Sequence, residues 1–598
     1  MNARPGLRRI HRDLRFFSLG AALLTLPTCA SNPTPTPESV AAKAAAGRAA
    51  AALAAPPVEL RPAAESRASL LASISIPSID RLLGSGTALV GRAVPLPLDA
   101  TSVRDMLLSQ AGLVPAVGEN LDFASPAGVA VVAMGPGIDA GVVMAVPAKS
   151  PEQAEKVIAA LGKTLSRRGD VAEVSNGAGG KGWIWRSANV LVLSDSLDAL
   201  VKGARLALEA RRPSAEDVTA VLFPDAIAAA NGTDVKSALA KSLAMMRAAQ
   251  AAQGVAMTGD SLAMIGDLLN LFGDTTTLEI GLAVDTTQGV SLRVRMNAKP
   301  GSSLEAVARQ NHPVEFDPLL FAGGKQPAFL FGYSVGPITK AHLVRIRHRL
   351  QTSSEAGSPA AQAFFDALVD ASQGMGFASM HLKPELGVRT SYPLKDAASG
   401  AKLSALLKKL DRVAALALIK TQMEGATVPF DWSVKKETVG KLPALHYTMS
   451  PAKHATPAVR DGFQKLFGKQ LDMYTAFSGA RLLGTAGKQA KADLTALANA
   501  KSAPPTGDVA QAISAAKGKD LIEYVDFGPF VATMAAMSTD PRAAFLSKGT
   551  QAPIPLTFTE GGDGTGKIVT LELNIPPAAF SGVGTLLQGL NSAGATKP

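Results

Sequence analysis

The chain is 598 residues long and 47% apolar, too long for one hydrophobic core and too apolar for a disordered polar chain. Lys and Arg outnumber Asp and Glu by 60 to 49, but the cations form no basic block and no aromatics interleave with them, which argues against a nucleic-acid partner. The single cysteine excludes an intramolecular disulfide and any cysteine-based metal cluster.

In chain order, Arg4, Arg8, Arg9, Arg12 and Arg15 precede the apolar run Phe16–Leu26, a run too short to span a bilayer as a mature helix. The pattern predicts a signal peptide over 1–28. Leu26-Pro27-Thr28-Cys29 resembles a bacterial lipobox, which implies that Cys29 is acylated, becomes the new N-terminus and anchors the protein to a membrane. Ala30 follows in place of the aspartate of an inner-membrane retention signal, so the resemblance implies an outer-membrane lipoprotein facing the periplasm or the surface. The other reading of the same residues is ordinary cleavage after Ala30, which discards Cys29. Residues 29–68 then form a tether, with Pro33, Pro35 and Pro37 in a polyproline-like stretch followed by an alanine-rich spacer.

A first α+β repeat is expected over 69–311. Ala88–Leu98 is its opening segment, and Asp99 or Thr101 starts a helix with Val103, Met106 and Leu107 on one face. Gly128–Pro136 and Gly141–Pro147 read as strands. Ser150 and Pro151 open a helix carrying Ala154, Val157, Ile158, Leu161 and Leu165. After the glycine turn Asn176–Gly180 come paired strands at Trp183–Trp185 and Asn189–Ser194, a helix from Ser196, a strand at Val218–Phe223 and a helical region over Asp234–Asn270. A hairpin closes the repeat, with Leu278, Ile280, Leu282 and Val284 alternating on one arm and Val290, Leu292, Val294 and Met296 on the other.

The same order returns over 312–598. Gln326–Gly336 is the opening strand, Gly376–Pro384 and Gly387–Pro393 are the strand pair, and Asp396 opens a helix with Leu403, Leu406, Leu407 and Leu410. Ser478–Thr485 matches Ser187–Ser194, and Leu521–Phe527 matches the strand around Val221. A longer insertion with Trp432 and His446-Tyr447 takes the place of the glycine turn. A second alternating hairpin, Ile554–Phe558 with Val569–Ile575, closes the chain. The expectation is a tandem duplication of a mainly antiparallel sheet with amphipathic helices packed on one face of each copy.

Reactive motifs are sparse. Gly561–Lys567 has the first seven positions of a phosphate loop, but Ile568 stands where the hydroxyl is needed and a strand follows, so a hairpin turn is expected. His11, His312, His342, His348, His381, His446 and His454 show no zinc spacing; His446 and His454 are the pair for folding to join. Ser85 and Ser478 sit in short Gly/Ser turns without a nucleophile elbow. Asp195, Asp198, Asp225 and Asp526 read as helix caps, and Trp183 with Trp185 as a core or edge cluster. No cofactor, metal or catalytic residue is expected.

The stretch Val190–Ser194, Ser196–Leu200 and Val221–Asp225 resembles a group of uncharacterised bacterial envelope proteins with duplicated α+β exported regions. That resemblance implies export and no transferable activity. The functional expectation is a non-enzymatic lipoprotein that binds a protein partner or envelope component at the membrane surface. The alternative is a periplasmic carrier of a lipid or other apolar ligand, with Met245, Met246, Met257, Met264 and Leu271 as an adaptable lining.

Overall fold

The computed structural model describes residues 56–595 apart from 95–98, 111–114, 136–138, 176–180, 238–239, 242–243, 246–270, 310–313, 315, 325–326, 335–343, 345, 349–358, 373–374, 383–385, 423–429, 500–502 and 538–551. Cys29, the tether up to residue 55, the glycine turn and three of the methionines (Met246, Met257, Met264) lie outside the described residues, as does most of the region expected to be helical over Asp234–Asn270.

The protein is α+β, built on antiparallel pairing. It divides into two compact units. The first runs to Gly91 and takes in Pro95–Thr233 and Glu279–Thr286, and the second takes in Arg92–Val94, Asp234–Leu278 and Thr287–Pro598.

The strands of the first unit are β1 (Leu70–Ile76), β2 (Ala127–Ala133), β3 (Ala140–Pro147), β4 (Lys163–Arg168), β5 (Val171–Ser175), β6 (Lys181–Ser187), β7 (Val190–Ser194) and β8 (Val218–Leu222). They lie side by side as β8–β1–β2–β3–β7–β6–β5–β4, every pair antiparallel. The closing hairpin is shared between the units. The later part of β9 (Thr275–Asp285) belongs to the first, where the Asp217 amide donates to the Leu282 carbonyl at 2.8 Å. Its first residues and β10 (Gly289–Ala298) belong to the second, where the Thr276 hydroxyl donates to the Asn297 carbonyl at 3.0 Å.

The second unit continues with β11 (Phe329–Ser334), β12 (Met375–His381), β13 (Gly387–Pro393), β14 (Phe430–Val439), β15 (Leu442–Pro451), β16 (Leu471–Ser478), β17 (Arg481–Gly487), β18 (Leu521–Asp526), β19 (Pro555–Gly562) and β20 (Ile568–Ile575). Their order is β10–β20–β19–β18–β11–β12–β13–β17–β16–β15–β14, again antiparallel throughout. From β18 to β14 this repeats the order of the first unit strand for strand.

The elements form for local reasons. Ser150 caps the helix Pro151–Leu161 by accepting from the Gln153 amide, Pro151 sits where no donor is needed, and Ala154, Val157 and Ile158 are buried. Asp396 caps the helix Ala397–Lys409 in the same way through the Ser399 amide, and Leu403, Leu407 and the adjoining Leu410 are buried.

Four expectations need correction. The opening segment placed at Ala88–Leu98 falls on the helix Ile79–Ala93 and on residues 95–98 outside the described ones, and the strand that opens the unit is β1, upstream of it. Leu165 lies on β4, because the helix ends at Leu161 and Gly162 follows it in an extended conformation. Trp432 and His446-Tyr447 are not an insertion. They belong to β14 and β15, which occupy the places of β4 and β5 in the sheet.

The fourth correction concerns layers. In the first unit Ala130, Val132, Val143, Ala145 and Val192 pack on the helix Leu197–Ala210, while Leu191, Val174 and Ile184 pack from the other face on Pro151–Leu161. In the second unit Leu445, Tyr447 and Phe477 face the helices Pro359–Ala371, Ala397–Lys409 and Arg412–Gln422. Ala444, Tyr474, Ala476 and Leu483 face the helix Ala490–Asn499. Helices therefore cover both faces of each sheet, a three-layer arrangement. Strands buried on both faces must be apolar throughout, as Gly128–Ala133 and Val190–Leu193 are.

Candidate functional site

The second unit carries a cluster of polar side chains inside its core. Alternation along β12 puts Ser379 and His381 on one face, and the register Ser379↔Arg389 puts Arg389 and Ser391 of β13 beside them. Thr485 of β17 stands opposite Arg389. These side chains are 0–4% exposed. The covering helix Ala490–Asn499 supplies Asp493, whose Oδ1 accepts from Arg389 Nη2 at 2.7 Å. Ser379 Oγ lies 3.0 Å from His381 Nε2. Thr485 Oγ1 donates to the Ala490 carbonyl at 2.7 Å and so holds the start of that helix. At the next step along β13, Ser391 Oγ donates to Asp317 Oδ2 at 2.7 Å, and Asp317 pairs outward with the half-exposed Arg481 at 2.7 Å.

The registers give each of these residues a partner position in the first unit. Pro147 pairs with Val190 and Val190 with Ser187, as Pro393 pairs with Arg481 and Arg481 with Ser478. Followed strand by strand, Ala130, Val132, Val143 and Ala145 occupy the places of Ser379, His381, Arg389 and Ser391. All four are apolar and 0% exposed. The fold does not require polarity there. A buried charge pair costs desolvation that apolar packing avoids, so the substitution in the second unit needs a reason beyond stability.

A second cluster lies toward the β14 edge. His446 and Tyr474 are a cross-strand pair whose rings stack, with centroids 4.3 Å apart and planes 6° from parallel. His446 Nε2 lies 2.7 Å from Asp472 Oδ1. Its Nδ1 is 3.3 Å from Glu437 Oε2, an ion-pair contact rather than an aligned hydrogen bond. Glu437 also pairs with Lys491 of the covering helix, and Lys491 and its neighbours hold the carboxyl below its ordinary range. Burial, then Glu437 and Asp472, push the Tyr474 phenol up to about 12, so it stays neutral.

In the first unit Glu173 and Trp183 occupy the places of His446 and Tyr474. Glu173 accepts from Lys181 Nζ and Ser166 Oγ, both at 3.0 Å. Burial pushes its carboxyl up, but Lys181, Ser166 and Arg168 outweigh it and hold the carboxyl low. Lys181 occupies the place of Asp472, and Arg168 that of Glu437. The two clusters are alike in layout, and two of the matched positions, Arg168 against Glu437 and Lys181 against Asp472, are opposite in charge.

Chemically, both arrangements hold charge in place. Ser379 and His381 have the separation of a nucleophile and its base, but a serine with no exposed surface cannot meet a substrate. Among the described residues no group of three or more His, Cys, Asp or Glu is placed to hold a metal.

The expected sites divide clearly. The phosphate-loop look-alike is the β19–β20 turn. Asp563 Oδ1 accepts the amides of Thr565, Gly566 and Lys567 at 3.0, 3.1 and 3.2 Å, so the donors a phosphate would need already serve a carboxylate. Trp183 and Trp185 pack against the core of the first unit. His446 meets Glu437, Asp472 and Tyr474, while His454 is exposed after β15. Ser85 lies within the helix Ile79–Ala93, and Ser478 ends β16 at a two-residue turn. Asp526 accepts from the amides of Gly528 and Ile554 at a strand-to-helix transition, while Ser196, not Asp195 or Asp198, caps its helix. Of the methionine lining, Met245 is exposed, and Leu271 packs beside Met296 and Val569.

Ser379, Arg389, Ser391 and Asp493 were not singled out from sequence. The available signal was the contrast between two strands in matching places, Val-Val-Met-Ala in β3 and Val-Arg-Thr-Ser in β13. No protein family, no curated protein and no solved structure matches the chain.

Proposed function

We propose that this is an exported lipoprotein, anchored through Cys29, whose ectodomain is a tandem duplication acting as a non-enzymatic binding module for a protein partner or envelope component at the membrane surface. The matched strand order supports the duplication. So does the β10–β20 pair, in which Val290, Leu292, Val294 and Met296 lie against Ile575, Leu573, Leu571 and Val569. Taken as the same strand in two copies, these positions pair about a centre at Arg293↔Glu572, as two equivalent strands meeting antiparallel should.

The observation that carries the binding reading over the carrier is the filling of the layers. The space between sheet and helices, where a carrier would hold its ligand, is occupied by side chains such as Leu191, Leu200, Leu403 and Leu407, each at most 1% exposed. A rigid, filled ectodomain on a tether offers its outer surface rather than its interior.

The test is intact mass of membrane-extracted protein beside a Cys29→Ser variant, with lipid analysis of the purified ectodomain. An N-terminus at Cys29 with acyl mass that the variant loses, and an ectodomain free of stoichiometric lipid, are expected. Cleavage after Ala30 without added mass would sink the anchored reading. Stoichiometric lipid in the ectodomain would replace the binding module with the carrier.

A further inference from the structure

A chain that holds two copies of one topology faces a folding hazard: a helix or outer strand of one copy can dock on the sheet of the other, within a chain or between chains. We infer that the polar clusters of the second unit are a matching key that makes the two copies non-interchangeable, the inference resting on the reading of the chain as a duplication.

The inner part of the key is the Arg389–Asp493 pair. The first sheet offers Ala130, Val132, Val143 and Ala145 to a helix that brings Ala199, Leu200, Gly203 and Ala204. The fit is close: a Cβ at Gly203 would stand 2.6 Å from Val143 Cγ2 and 3.4 Å from Val132 Cγ1. The second sheet offers Ser379, His381, Arg389 and Ser391 to a helix that brings Asp493. Exchange of the helices is penalised in both directions. Asp493 over the valine surface is a buried carboxylate with no cation. The helix Leu197–Ala210 over Arg389 leaves a buried guanidinium with no anion. Apolar packing alone provides no such discrimination, because cores tolerate many apolar combinations.

The outer part of the key is the inverted charge at the sheet edges. If β5 paired with β16, Glu173 would stand opposite Tyr474 and beside Asp472. If β15 paired with β6, His446 would meet Lys181 in place of its partner Asp472. Like charges across a strand pair are repulsive, and specificity is commonly built by adding such repulsion to the wrong pairing. Two separate places in the unit, one buried and one at the edge, therefore act against the same error.

The experiment compares refolding of the full chain with two variants. The first gives the second unit the inner residues of the first: Ser379→Ala, His381→Val, Arg389→Val, Ser391→Ala and Asp493→Ala. The second leaves both cores intact and gives the first unit the outer charges of the second: Arg168→Glu, Glu173→His and Lys181→Asp. After denaturation and dilution at micromolar concentration, size-exclusion chromatography should show at least a several-fold larger oligomer fraction for each variant than for the unaltered chain. In oligomers formed from isotopically mixed chains, Lys202 marks an exchanged helix. It now donates to the Ala133 carbonyl at the end of β2 and would lie over the second unit instead. An interchain crosslink from Lys202 to a lysine of the second unit is the expected product. Refolding of both variants with the species distribution of the unaltered chain would overturn the key. Enlarged oligomer fractions lacking that crosslink would instead overturn the reading of the two units as equivalent copies.

Discussion

At the scale of single residues the sharpest comparison lies in the turns that join β6 to β7 and β16 to β17. Ala188 has φ +53° and Gly479 has φ +57°, so the same left-handed turn is built once with alanine and once with glycine. An L-residue in that region costs about 1 kcal/mol relative to glycine. A Cβ at Gly479 meets nothing within 4 Å, so conformation alone decides the effect there. Ala188→Gly should therefore stabilise by up to about 1 kcal/mol, less what the added freedom gives the unfolded chain, and Gly479→Ala should destabilise by a similar amount. Urea titration of the two variants checks the pair, and effects of the same sign would show that the turns are not equivalent. The helix caps were legible at this scale because Ser150 and Asp396 each precede an apolar helical period. The buried polar quartet was not. Ser379, Arg389 and Ser391 read as the wet positions of half-buried strands, and only the elements laid over that face, among them the helix with Asp493 inward and the segment with Asp317, make them interior.

At the scale of elements many strands and helices could be read from periodicity, while β1, β4, the order of the strands across the sheet and the number of layers could not. Antiparallel strands suggested one covered face. The all-apolar runs at Gly128–Ala133 and Val190–Leu193 were the sign of two covered faces, since a strand with one wet face alternates. A register error of one residue had a similar root. Glycine matching aligns Gly128 with Gly376, whereas the pairing Gly128↔Ala145 corresponds to Phe377↔Ser391. A slip of one residue turns every side chain to the other face, and glycine placement alone cannot fix it. The close helix–sheet contact gives the prediction at this scale. Gly203→Ala improves helix propensity by about 1 kcal/mol. It also drives a methyl to 2.6 Å from Val143 Cγ2, and Val143 and Val132, both 0% exposed, have no room to yield. Overpacking of about 1–3 kcal/mol should win, so Gly203→Ala should lower the melting temperature, and a raised one would show that the helix can shift outward freely.

At the scale of the whole molecule each unit has a core of its own, and each core can be perturbed by one leucine. Leu200 is fully buried in the first unit among Val132, Val143 and Val192. Leu403 is fully buried in the second among Leu394, Leu407 and Phe477. Truncating either to alanine leaves a cavity and costs about 2–5 kcal/mol. A chain with separate cores need not unfold as one two-state transition. Calorimetry should resolve two transitions, one lowered by Leu200→Ala and the other by Leu403→Ala, each with little effect on its neighbour. The second-unit transition should also be the one lowered by Asp493→Ala, which leaves the Arg389 guanidinium buried without its carboxylate, because the matching positions of the first unit hold no charge. A single transition moved equally by both leucine variants would mean that the two cores unfold as one, and the matched strand order would then describe one cooperative body rather than two.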